Sequence, residues 1–115
     1  MSWFEEHSAN TLHLSVLTLG ELRKGIDTLS DSSRKQLLLG WLQTDLPRFF
    51  SGRILPIDTR VADRWGQLVA HMGRPLPTID SLLAATALTH ELTLVTRNLR
   101  DFDFPGLGTL DPWSG

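Results

Sequence analysis

Glu21, Asp80 and Asp101 are the residues of this chain best placed to do chemistry. Each of these acids falls beside a helix start or a strand end in the pattern of the sequence. Brought together, three carboxylates repel one another unless a cation sits among them. The chain has no Cys, and its four His, at 7, 13, 71 and 90, show no ligand spacing. Hard oxygen donors of this kind suit Mg²⁺ or Mn²⁺ rather than Zn²⁺. Such an ion polarises a phosphodiester and generates hydroxide from bound water. The competing reading makes each acid a solvated or helix-capping residue. Asp80 in a first helical turn is favoured by the helix dipole with no ligand at all. Arg23, Lys24, Arg97 and Arg100 lie near these acids in sequence. They either steer phosphates or form a solvated rim.

The elements that must position these groups follow from periodicity. Around Asp80, Pro75 and Pro77 stiffen the entry to a helix, and Thr78 is the expected N-cap. Leu83, Ala84, Ala87 and Leu88 repeat at helical spacing. Asp80 stands one turn before Ala84, on the same inward stripe. A carboxylate on an apolar, small-residue face is costly unless something pairs with it. The strand Leu92–Thr96 follows almost at once and leads to Asp101. In open α/β sheets, sites are built at the C-terminal ends of strands.

Upstream, residues 2–8 read as the tail of a helix anchored by Trp3 and Phe4. Leu12–Val16 reads as a strand. Leu19, Leu22, Ile26 and Leu29 form the stripe of the next helix. Glu21 lies on its flank with Gly25, whose presence in a helix predicts close approach of another surface. Asp31 or Ser30 caps a helix with Leu37, Leu38, Trp41, Leu42 and Leu46 as its apolar face, and Pro47 falls near its end. Trp41 and Trp65 are expected in the core. Arg53–Ile57 is a short strand. Asp58 or Thr59 caps a helix that ends at Gly73. Residues 98–102 fit one helical turn, and Thr109-Leu110 a last strand. Strands alternating with helices predict an α/β fold, a parallel sheet flanked by helices.

A length of 115 residues suits one domain, here 1–115. An apolar fraction of 41% and a net charge of −2 describe an ordinary globular protein without a global basic field. The absence of Cys fits a reducing cytoplasm. No apolar run approaches the ~20 residues of a membrane span, and the N-terminus lacks the pattern of a signal peptide.

Three stretches carry a resemblance. They are Leu14-Ser-Val-Leu-Thr-Leu-Gly-Glu-Leu-Arg-Lys-Gly25, Leu76-Pro-Thr-Ile-Asp-Ser-Leu-Leu-Ala-Ala-Thr-Ala87 and Leu94-Val-Thr-Arg-Asn-Leu-Arg-Asp-Phe102. In this order they resemble the PIN domain, and within it the VapC and FitB-like toxins of bacterial toxin–antitoxin modules. The likeness runs from about Trp3 to Trp113. It implies an α/β ribonuclease dependent on Mg²⁺ or Mn²⁺, with acids clustered at one end of a parallel sheet. It puts Glu21, Asp80 and Asp101 on the metal. The family's acid after the Thr-Arg pair falls on Asn98, an amide here, so Asn98 joins the implied catalytic set. The partners implied are an RNA substrate and a VapB-like antitoxin.

The family normally opens with a strand ending in Asp-Thr-Asn, and no such triplet occurs in this chain. The first central strand is therefore expected to be missing, and the metal site to be one carboxylate short. The strands at 12–16 and 92–96 would then pair with each other, borrow a strand from another copy, or leave an edge. A homodimer, possibly intertwined, is the expected outcome. The alternative to a nuclease is a catalytically impaired module that acts only by binding an antitoxin or itself.

Overall fold

The computed structural model describes residues 12–96 and 99–111. Asn98, the helix expected over 2–8 and Trp113 lie outside the described residues. The chain divides into two compact units, one within His7–Pro56 and one within Ile57–Gly115. Each contains one pair of parallel strands and the helices that pack beside it.

In the first unit, β1 (Leu14–Ser15) pairs in parallel with β2 (Ile54–Leu55), Leu14 opposite Ile54 and Ser15 opposite Leu55. β1 is shorter than the apolar run predicts. Ser15 turns the chain into α1 (Val16–Asp27), its Oγ accepting a hydrogen bond from the Leu17 amide at 3.1 Å. That cap takes Val16 into the helix. Asp31 caps α2 (Ser32–Gly40), accepting from the amides of Ser33 and Arg34. Helical dihedrals continue through a π-helical turn (Trp41–Asp45) into α3 (Leu46–Phe49). The Leu46 amide donates to the Trp41 carbonyl, five residues back. Pro47 accounts for the widening. It has no N–H to donate, and its ring crowds the carbonyl four residues earlier.

Ile26, Leu42 and Leu46 form this unit's core, with Leu14, Leu19, Leu22 and Leu38 packed against it. The wide turn departs from the expected apolar face. Leu37 is 75% exposed and Trp41 38% exposed, so Trp41 is a surface residue, not core. Gly25 also differs from expectation. No described atom comes within 4 Å of where its Cβ would sit, and its carbonyl instead accepts the Thr28 hydroxyl at 2.7 Å as α1 ends. Arg53 ties the end of the unit together. Its guanidinium donates to the Leu12 carbonyl at 2.6 Å and to the Phe49 carbonyl. It also lies over the rings of Phe49 and Phe50, at 5.6 and 5.4 Å.

In the second unit, α4 (Thr59–Met72) and α5 (Thr78–Thr89) form a hairpin. Asp58 caps α4 through the Val61 amide at 3.0 Å. α5 leads to β3 (Leu94–Val95), which pairs in parallel with β4 (Thr109–Leu110). A 3₁₀ turn (Leu99–Phe102) lies between them. Leu68, Ala84, Phe102 and Phe104 make the core. The strands at 14–15 and 94–95 thus each find a partner inside their own unit. Among the described residues no helix is long and apolar enough to cross a membrane.

The α4–α5 contact is closed by small side chains and one part-buried hydrogen bond. Val61, Ala84 and Ala85 are fully buried. Trp65 Nε1 donates to Ser81 Oγ at 2.9 Å, and that hydroxyl donates to the Thr78 carbonyl at 3.0 Å. Removing an acceptor from a buried donor costs about 1–3 kcal/mol. Ser81→Ala should lower unfolding free energy by that amount in a urea titration. Trp65→Phe in the Ser81→Ala background should add little beyond lost packing, because the orphaned donor is gone.

The exit from α5 stores strain. The Leu92 amide bonds to the Ala87 carbonyl at 2.8 Å, and the Glu91 amide to that of Leu88 at 3.3 Å. This is a Schellman ending, which normally places Gly in the left-handed position. Here Glu91 holds it, at φ 55°. Glu91→Gly should therefore raise the urea midpoint, by about 1 kcal/mol of stability.

Candidate active site

Asp80 is the third residue of α5, half-buried in its first turn. The helix begins one residue earlier than expected. Pro77, at φ −57° and ψ 128°, precedes it, and Thr78 is its first residue rather than a capping side chain. No side chain caps this N-terminus among the described residues. The first-turn amides and the dipole therefore face Asp80 as an anion. Leu76, packed on the core, and Ser81, bonded on both sides, hold the turn in place.

Asp101 sits in the 3₁₀ turn and is exposed. Its neighbour Phe102 is buried in the same cluster as Ala84, one helical turn beyond Asp80. The 3₁₀ turn packs on α5. Asp80 and Asp101 are thus anchored through one apolar contact, each a residue or a turn away from it. Glu21 lies midway along α1 of the other unit and is exposed. Within either unit, the described residues hold no group of three His, Asp or Glu side chains that could bind a metal ion. The donor chemistry still fits the hard cation expected. Mg²⁺ is commonly held by one or two carboxylates and completes its shell with water and substrate phosphate.

The candidate basic residues separate. Arg23 is occupied, its Nε 3.0 Å from Asp27 in an exposed pair. Lys24 and Arg100 are exposed. Arg97 lies outside the described residues. A further basic feature was missed from the sequence. Arg64, Gln67, Leu68 and His71 line a cavity of about 350 Å³ with Pro105. Arg64 and Leu68, and Gln67 and His71, stand four residues apart along α4, and that spacing was the available signal. Arg64 has no hydrogen bond or ion pair among the described residues, whereas Gln67 donates to Asp63 at 2.7 Å. Trp65, expected in the core, is half-buried, with its indole N–H committed to Ser81.

With this arrangement in place, comparison with known proteins is informative. The PIN domain family model matches residues 2–105. The chain belongs to the PIN domain family. It is 31% identical to Toxin FitB of Neisseria gonorrhoeae, over 98% of this chain and 84% of that protein. It is 28% identical to VapC ribonuclease Y4jK of Sinorhizobium fredii, over 98% of this chain and 83% of that protein. In three dimensions it matches the crystal structure of FitAcB from Neisseria gonorrhoeae with a TM-score of 0.89 at 31% identity, covering 98% of this chain and 84% of that one. The α/β fold with parallel strands and flanking helices is thus that of PIN-domain toxins.

In this PIN domain, the placement of Asp80 depends on how α4 stops. Gly73 ends α4 in the left-handed region, at φ 65°, with its amide bonded to the Val69 carbonyl at 3.2 Å. Four residues later the chain enters α5. A side chain at that φ costs about 1–2 kcal/mol. Gly73→Ala should lose about that much stability in urea, whereas Gly66→Ala, mid-helix with no described atom within 4 Å of its Cβ, should gain about 0.5–1 kcal/mol.

Proposed function

We propose that this PIN domain is a metal-dependent endoribonuclease toxin, with the whole chain acting as one domain. The observation that carries the reading is Asp80, a half-buried carboxylate at an uncapped helix start, sharing an apolar anchor with Asp101. The family match spans both compact units, which supports treating them together. The likeness to a protein named VapC ribonuclease supports the reaction class.

In this reading Asp80, Asp101 and Glu21 hold Mg²⁺ or Mn²⁺. The bound ion would supply Lewis acidity toward a phosphodiester oxygen and a lowered pKa for water. The chain's own groups do the rest. Asp80 stands in the first turn of α5, where the helix dipole favours an anionic ligand. Asp101 is held at the rim by Phe102. Asn98, where the family resemblance places an acid, offers an amide that can donate to or accept from a phosphate or ribose oxygen. Arg64 and Arg100 attract the RNA backbone. The protein partner is a VapB-like antitoxin. The likeness to Toxin FitB, and to a chain solved within FitAcB, supports that assignment. Insertion of a cationic antitoxin side chain among the acids would block the metal.

Cleavage of single-stranded RNA by the purified chain should require Mg²⁺ or Mn²⁺ and stop with a chelator. Asp80→Asn should reduce the rate by at least about a hundredfold, a loss on the scale of a metal contact. The same variant should lose Mn²⁺ binding in isothermal titration. Equal cleavage by both proteins would assign the activity to a contaminant. Mn²⁺ binding and antitoxin binding without cleavage would favour a module that acts by association alone.

Arg64→Gln offers a separate check. The dependence of log KM on log salt should become shallower by about 0.7, the contribution of one single-strand phosphate. An unchanged slope would remove Arg64 from the RNA path.

A further inference from the structure

The cavity on α4 holds a cation that the fold does not use. Arg64 and Leu68 stand one turn apart, and so do Gln67 and His71, so the four share one face of the helix. Leu68 is buried and forms the floor, and Pro105 lines the cavity from another part of the chain. Arg64 is half-buried, yet neither it nor His71 has a hydrogen bond or ion pair among the described residues. Gln67 is held through its Nε2, which donates to Asp63 at 2.7 Å, and its Oε1 is left to accept. A cation partly withdrawn from water with no acid against it favours an anionic partner. The volume of about 350 Å³ lies at the lower end of small-ligand sites, which run from about 300 to 1,000 Å³.

We propose that this cavity binds a single nucleotide through a terminal phosphate monoester. The order of groups along α4 selects the occupant. Arg64 and His71 are two turns apart, about 10.5 Å at helical rise, the length of a nucleotide rather than of a lone phosphate. Arg64 takes the phosphate, its planar fork matching two of the oxygens. Gln67, between the two ends, accepts from a ribose hydroxyl or a base amino group. The base lies at the far end against the imidazole of His71 and the ring of Pro105. A bare anion would use Arg64 alone, and a purely apolar molecule would leave the guanidinium unpaired. The site needs no metal and neither Asp80 nor Asp101, so it stands apart from the ribonuclease reading. The same chemistry reaches it from two sources, a free mononucleotide or the phosphorylated 5′ end of an RNA.

Isothermal titration of the full chain with 5′-AMP tests it, in EDTA so that no metal-held phosphate contributes. The dissociation constant should be about 1 mM or lower. Adenosine and inorganic phosphate should each bind at least about tenfold more weakly, since each keeps one end of the contact. Arg64→Gln should weaken AMP at least about tenfold and leave adenosine unchanged, and Arg64→Lys should recover part of the loss. His71→Ala should weaken AMP and adenosine by the same factor. Neither side chain has a partner in the fold, so circular dichroism and the urea midpoint should stay close to wild type. A 5′-phosphorylated dinucleotide that binds more tightly than AMP assigns the site to an RNA end. Equal or weaker binding assigns it to the free nucleotide. No AMP binding up to about 10 mM overturns the proposal. So does inorganic phosphate that binds as tightly as AMP, the mark of an adventitious anion only, and so does AMP binding indifferent to Arg64→Gln. AMP binding by a chain that cuts no RNA would sink the ribonuclease reading alone.

Discussion

The α4–α5 hairpin is the constraint on which the second unit depends. Its two helices approach closely because the facing residues are small: Ala84 and Ala85 against Val61, all without solvent exposure. Close approach removes the space in which a water could satisfy a polar group. The indole N–H of Trp65 must therefore find its acceptor within the contact, and Ser81 provides it. Ser81 is next to Asp80. The same turn that satisfies the buried indole also orients the carboxylate at the start of α5. Hydrogen bonding and the candidate chemistry thus meet at two successive positions, Asp80 and Ser81.

Asp101 is placed by a different route. It belongs to a 3₁₀ turn too short to fix itself, since isolated turns of this length have few internal bonds. Phe102 and Phe104 do the fixing by burying their rings against Leu68 and Ala84. An exposed acid beside a buried aromatic is held in position while staying open to water. Asp80 is half-buried and Asp101 is open to water, so the pair offers one constrained and one accessible oxygen donor. A site that must admit both a hydrated cation and a polyanion benefits from that asymmetry.

Much of this was legible in the sequence where local rules and tertiary packing agree. Asp31, Asp58 and Gly73 end or begin their helices as their types demand. The strands at 14–15, 54–55, 94–95 and 109–110 lie inside the apolar runs that predict them. The misses have physical causes. Thr78 looks like a cap, but Pro77 already fixes the entry, so the threonine becomes the first helical residue. Trp41 falls on an apolar face only if the helix keeps 3.6 residues per turn. Pro47 widens the turn before it and rotates Trp41 outward. Gly25 predicts a close neighbour, yet no described atom lies within 4 Å of where its Cβ would sit. The Arg64 and His71 cavity was overlooked because charged residues at helical spacing usually mean a solvated face, and only Pro105, far along the chain, gives it a wall.

Both units spend some cations on the fold and keep others unpaired among the described residues, Arg34 in the first and Arg64 in the second. In the first unit, Arg23 and Lys35 both reach Asp27, and Arg53 is spent on backbone carbonyls and two aromatic rings. These positive charges are neutralised or enclosed by the fold itself. In the second unit, Arg60 touches only the end of α5, at 3.4 Å from the Thr89 carbonyl, and Arg64 is unpaired among the described residues. A protein with a net charge of −2 has no general attraction for a polyanion. In the proposed ribonuclease, attraction of a polyanion would rest on local cations instead. The unit that carries Asp80 and Asp101 also carries Arg64.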